Sequence, residues 1–389
     1  MKIAYYCQHV LGIGHFFRTI EICRAFEGHD VLLFSGGLAV DITLPKHVRL
    51  LQLPGLMMDP NFSRLSATKD GQSLEQVKKD RLRILLDCFQ RFRPEILIIE
   101  LYPFGRRAFR FEIEPILEAI GARKLPSCRV VCSLRDILVE KKDPATYEER
   151  VINILNKNFN ALLVHSDPHL MKLDETFSRI NDIHIPVFYT GFVSQKPGPD
   201  PRRKIRKKLA IAENDRLIIA SAGGGKVGFP LLEAVMKAFK LLKTRGDGML
   251  YVFSGPYISR AEYDRLNRLA AEGIRIARFS PDFLSFLAAA DLSVSMAGYN
   301  TCMNILATGT PALVWPFSQN REQRLRAERL AGRGVLKVLT DDDLRTNRLA
   351  ALMEKERGEN NRCRVSVDLE GAQNTVRWLV DWITSSVDR

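Results

Sequence analysis

Short, continuous apolar runs alternate along the chain with stretches whose apolar residues recur at helical spacing. Runs that are apolar at every position read as strands buried on both faces. Their alternation with helices reads as βαβ units around a parallel sheet. The first half predicts strands over Lys2–Cys7, Val31–Phe34, Val48–Leu53, Glu95–Glu100, Arg129–Leu134 and Ala161–His165. The first of these leads into a helix carrying Phe16, Ile20, Ile22, Cys23 and Phe26, which Gly28 stops. In the second half, strands over Leu217–Ser221, Met249–Ser254, Ile274–Arg278, Leu292–Ser295 and Ala312–Trp315 are separated by helical stretches. Between the two series, residues 194–208 (SQKPGPDPRRKIRKK) combine three prolines with a dense basic cluster, which predicts a linker. The expected architecture is α/β, with two Rossmann-like domains over residues 1–195 and 196–389 facing each other across a cleft. The last helix, near Gln373–Ser385 with Trp378 and Trp382 four apart, is free to pack back on the first domain.

A length of 389 residues suits two domains. The seven cysteines (7, 23, 88, 128, 132, 302 and 363) show no close metal-ligand pairing and read as reduced thiols. Met1–Lys2 leads directly into a strand and no apolar run reaches membrane-spanning length, so the expected address is the cytoplasm. The net charge of +13 is uneven, at +3 for residues 1–195 and +10 for residues 196–389. A basic second half suits a phosphate-bearing ligand, an anionic membrane surface or simply a solvated face. No nucleic-acid recognition module is present to make that ligand DNA or RNA. The run Leu74–Phe92 reads as a basic amphipathic helix, with Lys78, Lys79, Arg81, Arg83, Arg91 and Arg93 around a stripe of Leu82, Leu85, Leu86 and Phe89. It fits a helix packed on the sheet, and with Leu56, Met57 and Met58 it also fits a membrane-surface contact.

Three stretches and a set of strand-end residues carry candidate chemistry. GIGHFFR places Gly12 and Gly14 in a turn and His15 at the start of a helix, where the positive helix end keeps an imidazole neutral, as a general base requires. SAGGGKVG sets Gly223, Gly224 and Gly225 after a strand with Lys226 beside them, offering amides and a charge to phosphate. It lacks the Gly-Lys-Ser/Thr ending of a P-loop. The run Asp291–Ala327 turns from a strand through Gly298, Tyr299, Asn300 and Thr301 into a helix, a second anion site by dipole and free amides, or an ordinary βαβ turn. Glu322 and Gln323 then suit sugar hydroxyls. Glu100, Asp136, His165 and Asp167 all fall at the carboxyl ends of strands, where open α/β sheets gather functional groups.

GxGHxxR, the glycine run, and AGYNTxxxxLAxGxPALVxPFxxxxEQ together resemble the GT-B glycosyltransferases, in the branch of the peptidoglycan lipid-linked N-acetylglucosaminyltransferase and its less characterised bacterial relatives. ELYPFGRRAF and SLRDI extend the resemblance over most of the chain. It implies a nucleotide-sugar donor, such as a UDP-sugar, in the second domain, and a hydroxyl acceptor in the first. It further implies inversion by one displacement without metal or other cofactor. Peripheral contact with the inner face of an anionic membrane is a separate expectation, drawn from the basic helix and the apolar residues Leu56, Met57 and Met58. By position, His15 becomes the base, with Arg18, Glu100 and Asp136 on the acceptor side. Gly12, Gly14, Gly223, Gly224, Gly225 and Lys226, with Gly298, Tyr299, Asn300 and Thr301, hold the diphosphate. Phe279, Ser280 and Asn304 meet the nucleoside, while Glu322 and Gln323 hold the sugar. Asn304 departs from the family's usual glutamate. A nucleotide-sugar hydrolase and a catalytically silent nucleotide-binding protein are the alternatives; nothing indicates an oligomeric state.

Overall fold

The computed structural model describes residues 1–9, 14–40, 42–59, 64–68, 71–138, 141–243, 248–318, 321–356 and 366–385. The chain divides into two compact units, Met1–Val193 with Asp368–Arg389, and Ser194–Val367.

The first unit contains, in chain order, β1 (Lys2–Cys7), α1 (Gly14–Ala25), β2 (Asp30–Ser35), β3 (Val48–Gln52), β4 (Leu56–Met58), β5 (Leu65–Ala67), α2 (Leu74–Phe92), β6 (Ile96–Glu100), α3 (Arg110–Gly121), β7 (Arg129–Arg135), α4 (Pro144–Asn158), β8 (Ala161–His165) and β9 (Val187–Tyr189). Its main sheet is parallel throughout, in the order β3-β2-β1-β6-β7-β8-β9, and β4 and β5 form a small antiparallel hairpin. Strand alternation divides the core cleanly. Ala4, Tyr6, Leu32, Phe34, Leu97 and Ile99 pack with α2 to α4, while Ile3, Tyr5, Val31, Leu33, Ile96 and Ile98 pack with α1. A sheet covered on both faces explains why these strands are apolar at nearly every position.

The second unit holds α5 (Pro201–Leu209), β10 (Arg216–Ser221), α6 (Phe229–Lys243), β11 (Gly248–Phe253), α7 (Arg260–Leu269), β12 (Ile274–Ala277), α8 (Phe283–Ala289), β13 (Leu292–Met296), α9 (Tyr299–Thr308), β14 (Ala312–Trp315), α10 (Arg321–Gly332), β15 (Lys337–Val338) and α11 (Thr346–Lys355). Its parallel sheet runs β12-β11-β10-β13-β14-β15. The final helix, α12 (Gly371–Thr384), belongs to the first unit. Trp378 stacks on Phe188 at 5.1 Å and on Trp382 at the same distance, and Arg129 lies 4.6 Å over Trp382. The buried Asp167 carboxylate accepts the amide of Asp368 at 3.0 Å, fixing where the chain re-enters this unit.

α2 departs from its expected stripe. The buried positions are Val77, Arg81, Leu85, Phe89 and Phe92, a series spaced by four and then three, and Leu82 and Leu86 are only half-buried. Arg81 is therefore not part of a basic face. It is fully buried, with Nε 2.8 Å from one oxygen of Glu112 and a terminal nitrogen 2.5 Å from the other. It also donates to Gln8 and to the carbonyls of Gly36 and Pro54, while Tyr6 donates to Glu112. One side chain thus ties α2 and α3 to the loops that follow β1, β2 and β3. On the exposed face, Lys78, Arg83 and Arg91 pair with Glu75, Asp80 and Asp87 of the same helix. No helix among the described residues is long and apolar enough to cross a membrane.

Candidate functional site

In the first sheet the strand order reverses between β1 and β6, which opens a crevice at their carboxyl ends. α1 begins directly after β1, so His15 stands at that crevice, and Glu100 is the last residue of β6. They are 85 positions apart in sequence, yet His15 Nδ1 lies 2.6 Å from Glu100 Oε1. Arg18, one turn along α1, donates to the same carboxylate oxygen at 2.5 Å. Glu100 is fully buried and the Arg18 side chain is 3 % exposed, against 21 % for His15.

Burial pushes the His15 imidazole down to about 4 despite the opposing pull of Glu100, with Arg106 and Arg18 adding to the fall. Burial by itself would raise the Glu100 carboxyl, but His15, Arg18 and Arg106 outweigh it and hold the group ionised. At neutral pH the ring is therefore neutral. A carboxylate 2.6 Å from Nδ1 requires the proton there, which leaves the lone pair on Nε2. Such an arrangement can serve as a general base, with its tautomer fixed by a buried carboxylate.

Gly14 opens α1, and Gly12 lies outside the described residues. Asp136 is buried just after β7. His165, the last residue of β8, is fully buried and bonded within the sheet. Its Nε2 is 2.8 Å from Ser133 Oγ, its Nδ1 2.8 Å from Thr190 Oγ1, and burial drives it down to about 3. With Tyr5 on the other side of Ser133 it completes a buried polar chain across the sheet. Arg106, in the loop after β6, escaped the sequence reading. Its guanidinium reaches within 3.9 Å of Glu100 Oε2.

The second sheet reverses its order between β10 and β13, and the glycine loop and the start of α9 follow those two strands. Gly298 begins α9 with extended backbone and no side chain to cap it, so the first-turn amides of Tyr299, Asn300 and Thr301 point towards the crevice end. The glycine loop has a packing reason beyond phosphate. A Cβ on Gly225 would lie 2.5 Å from the carbonyl oxygen of Ser254, and one on Gly255 would lie 2.5 Å from Gly224. The loops after β10 and β11 are thus held backbone to backbone, and Tyr257 donates its amide to Gly224 at 2.9 Å. Gly223 and Gly225 direct their own amides to Ser221 Oγ and to the Ala222 carbonyl. Gly224 and Lys226 are exposed.

Phe279, after β12, is 54 % exposed, and Ser280 starts α8 by accepting the amide of Asp282 at 3.1 Å. Asn304 is half-buried on α9, one turn beyond Asn300. Glu322 and Gln323 stand in the first turn of α10. Both have partners inside the protein. Glu322 is buried and 2.9 Å from Arg326, whose guanidinium lies 5.2 Å over the Tyr299 ring, and Gln323 accepts the amide of Phe317 at 3.2 Å. Among the described residues no group of three or more His, Cys, Asp or Glu side chains is placed to hold a metal ion.

Residues 220–374 match the C-terminal domain of glycosyltransferase family 28. An uncharacterized glycosyltransferase of Methanopyrus kandleri is 23 % identical over 185 residues, which is 47 % of this chain and 50 % of that protein. The UDP-N-acetylglucosamine--N-acetylmuramyl-(pentapeptide) pyrophosphoryl-undecaprenol N-acetylglucosamine transferase of Caldicellulosiruptor saccharolyticus is 26 % identical over 151 residues, 38 % of this chain and 41 % of that protein. The matched stretches thus span half or less of these relatives' length. Among solved structures, the calicheamicin glycosyltransferase CalG4 superposes with a TM-score of 0.62 at 15 % identity, covering 100 % of this chain and 98 % of its own. MurG of Acinetobacter baumannii does so with a TM-score of 0.55 at 15 % identity, covering 99 % and 100 %. Residues 220–374 are thus similar to a glycosyltransferase family 28 C-terminal domain, and the two parallel-sheet units have the GT-B fold.

Proposed function

We propose that the protein is an inverting, metal-independent glycosyltransferase that moves a sugar from a nucleoside-diphosphate donor to an acceptor hydroxyl. The observation that carries this reading is the His15–Glu100 pair, a neutral imidazole oriented by a buried carboxylate at the crevice of the first sheet. In this account Nε2 of His15 takes the proton of the acceptor hydroxyl. The oxygen forms its bond to the anomeric carbon as the bond to the diphosphate breaks, and the electron pair leaves with the nucleoside diphosphate. A single displacement inverts that carbon.

The second unit holds the donor. The first-turn amides of α9 and the Lys226 ammonium offset the charge developing on the leaving diphosphate. Phe279 offers an exposed ring and neighbouring backbone to the base, and Asn304 its amide to the ribose. Glu322 and Gln323 are the proposed partners of the sugar hydroxyls, and their internal hydrogen bonds hold them in place. A UDP-sugar is the preferred donor because the Caldicellulosiruptor relative is named for UDP-N-acetylglucosamine. The same name includes a lipid-linked acceptor, which supports peripheral contact with an anionic membrane, although the ion-paired face of α2 makes that helix a poor membrane anchor.

A thermal-shift screen of the full chain against nucleoside diphosphates tests the donor assignment. Uridine diphosphate is expected to raise the midpoint by mass action. No shift with any nucleoside diphosphate would remove the donor site.

A further inference from the structure

The contacts of the buried Arg81 lead to the candidate base. A guanidinium has five N–H groups, and here each one has an acceptor. Nε and Nη2 reach the two oxygens of Glu112, and Nη2 also donates to Gln8 Oε1 at 2.7 Å. Nη1 donates to the carbonyls of Gly36 at 2.9 Å and Pro54 at 2.7 Å. Gln8, fully buried directly after β1, passes this anchor on to the backbone. Its amide nitrogen donates to the His9 carbonyl at 2.8 Å. His9 is 3 % exposed, with Nε2 donating to the Leu38 carbonyl at 2.8 Å and its ring 5.2 Å from that of Phe16. Phe16 is itself buried and is the residue next to His15. Two glycines of the loop after β2 close the other side. A Cβ on Gly36 would overlap the Gln8 side chain, and one on Gly37 would overlap the His9 ring.

Packed side chains and hydrogen bonds thus run without a break from Glu112 through Arg81, Gln8 and His9 to Phe16, in the first turn of the helix that carries His15. Stability alone is a poor reason for such a construction. A buried ion pair is often replaced by apolar residues of like volume at no loss, whereas a planar fork fixes one geometry that a lysine cannot reproduce.

We infer that Arg81 is a positioning residue for His15: through Gln8 and His9 it fixes the start of α1, and with it the seat of the imidazole beside Glu100. The inference rests on the transferase reading only in calling His15 the base. The seat matters because burial is the largest influence on the ring and holds it down, with Glu100 from β6 opposing and Arg106 from the loop after β6 and Arg18 from α1 adding to the fall. Loosening the wedge admits water, which raises the midpoint, and weakens the Glu100 pair, which lowers it. Burial is the larger of the two, so the net movement is upward.

The test uses the full chain with labelled histidine imidazoles followed by NMR. Three variants disturb the path at different points: Arg81→Met with Glu112→Leu, which removes both charges; Gln8→Met, which keeps the ion pair; and Gly37→Ala, which presses on His9 from the other side. Each, shown folded by circular dichroism, is expected to raise the His15 midpoint by roughly one pH unit. The His165 signal, from a ring buried in the same unit, should stay in place. Gln8→Met added to the double substitution should move His15 no further, because the two act in series. In turnover, kcat for nucleoside diphosphate release should fall by about tenfold or more at an unchanged KM for the UDP-sugar. A His15 signal indifferent to both Arg81→Met/Glu112→Leu and Gln8→Met overturns the inference. So does a joint movement of His15 and His165, which would assign Arg81 to stability alone, or an unchanged kcat beside a displaced midpoint. A parent chain without turnover strikes the transferase reading instead, and the His15 signal then decides the positioning role by itself.

Discussion

Replacing Glu100 by glutamine removes one charge from the centre of the proposed site and little volume. The side-chain oxygen can still accept from Nδ1 of His15, so the ring can keep its orientation. What disappears is the counter-charge 2.6 Å from the imidazole and 2.5 Å from Arg18. Glu100 is the group that opposes the burial-driven fall of His15 to about 4, while Arg18 and Arg106 add to that fall. Without it the imidazole becomes a weaker base, and its pH midpoint moves further down. A positioned general base is worth about 10²–10⁴ in rate, so kcat/KM at neutral pH should fall by roughly 10² or more. The sign of the pH effect is the sharper prediction. The base works when neutral, so activity is lost as pH falls through the His15 midpoint, near 4 in the parent protein, and that limb should move to lower pH in Glu100→Gln. Breaking a buried pair also costs about 3–5 kcal/mol of stability. Nucleoside diphosphate release should therefore be measured well below the variant's own unfolding midpoint, with circular dichroism as the check on folding. An unchanged kcat/KM, or an acid limb displaced towards neutrality, would refute the pairing as the source of the base.

The remaining predictions concern the frame around the site. Arg81→Met leaves the buried Glu112 without its cation and should cost about 3–5 kcal/mol in urea unfolding, with Glu112→Leu added on top restoring part of the loss. Gly225→Ala must place a Cβ 2.5 Å from the Ser254 carbonyl at a φ of +88°, and should lower both the thermal midpoint and nucleotide affinity. Gly224→Ala meets nothing nearer than Tyr257 at 3.7 Å and should stay within about 0.5 kcal/mol of the parent. Asn304→Glu should tighten uridine diphosphate by about fivefold in calorimetry, because a charged acceptor replaces a neutral one at the ribose; weaker binding would mean that Asn304 does not face it.

The alternation of apolar runs and amphipathic helices was enough to read two parallel-sheet domains, because strands covered on both faces carry that pattern in their own residues. The site was legible only as parts. His15 could be placed at the start of a helix and Glu100 at the end of a strand, yet their contact depends on β6 lying beside β1, a fact of strand order that no local pattern contains. Arg106 was hidden for the same reason, since an arginine after a strand reads as surface until the neighbouring carboxylate is known. Arg81 misled for a different reason. Its spacing from Val77 and Leu85 places it in the buried seam, but its charge suggested the outer face, and only Glu112 on α3 explains the exception. The glycine run was read as bare backbone for phosphate. Gly225 is also required by the close passage of the loop after β11, which is set by a strand about thirty residues later.

The central claim is that His15 activates an acceptor hydroxyl against a nucleotide sugar without a metal. Its most direct test is nucleoside diphosphate release from a panel of UDP-sugars in EDTA, with and without soluble glycosides and bacterial membrane lipids as acceptors, for the parent chain and His15→Ala side by side. The account predicts release that depends on an acceptor, persists in EDTA and falls by roughly 10² or more in the variant. Full turnover in His15→Ala, or release at the same rate with no acceptor present, would contradict it.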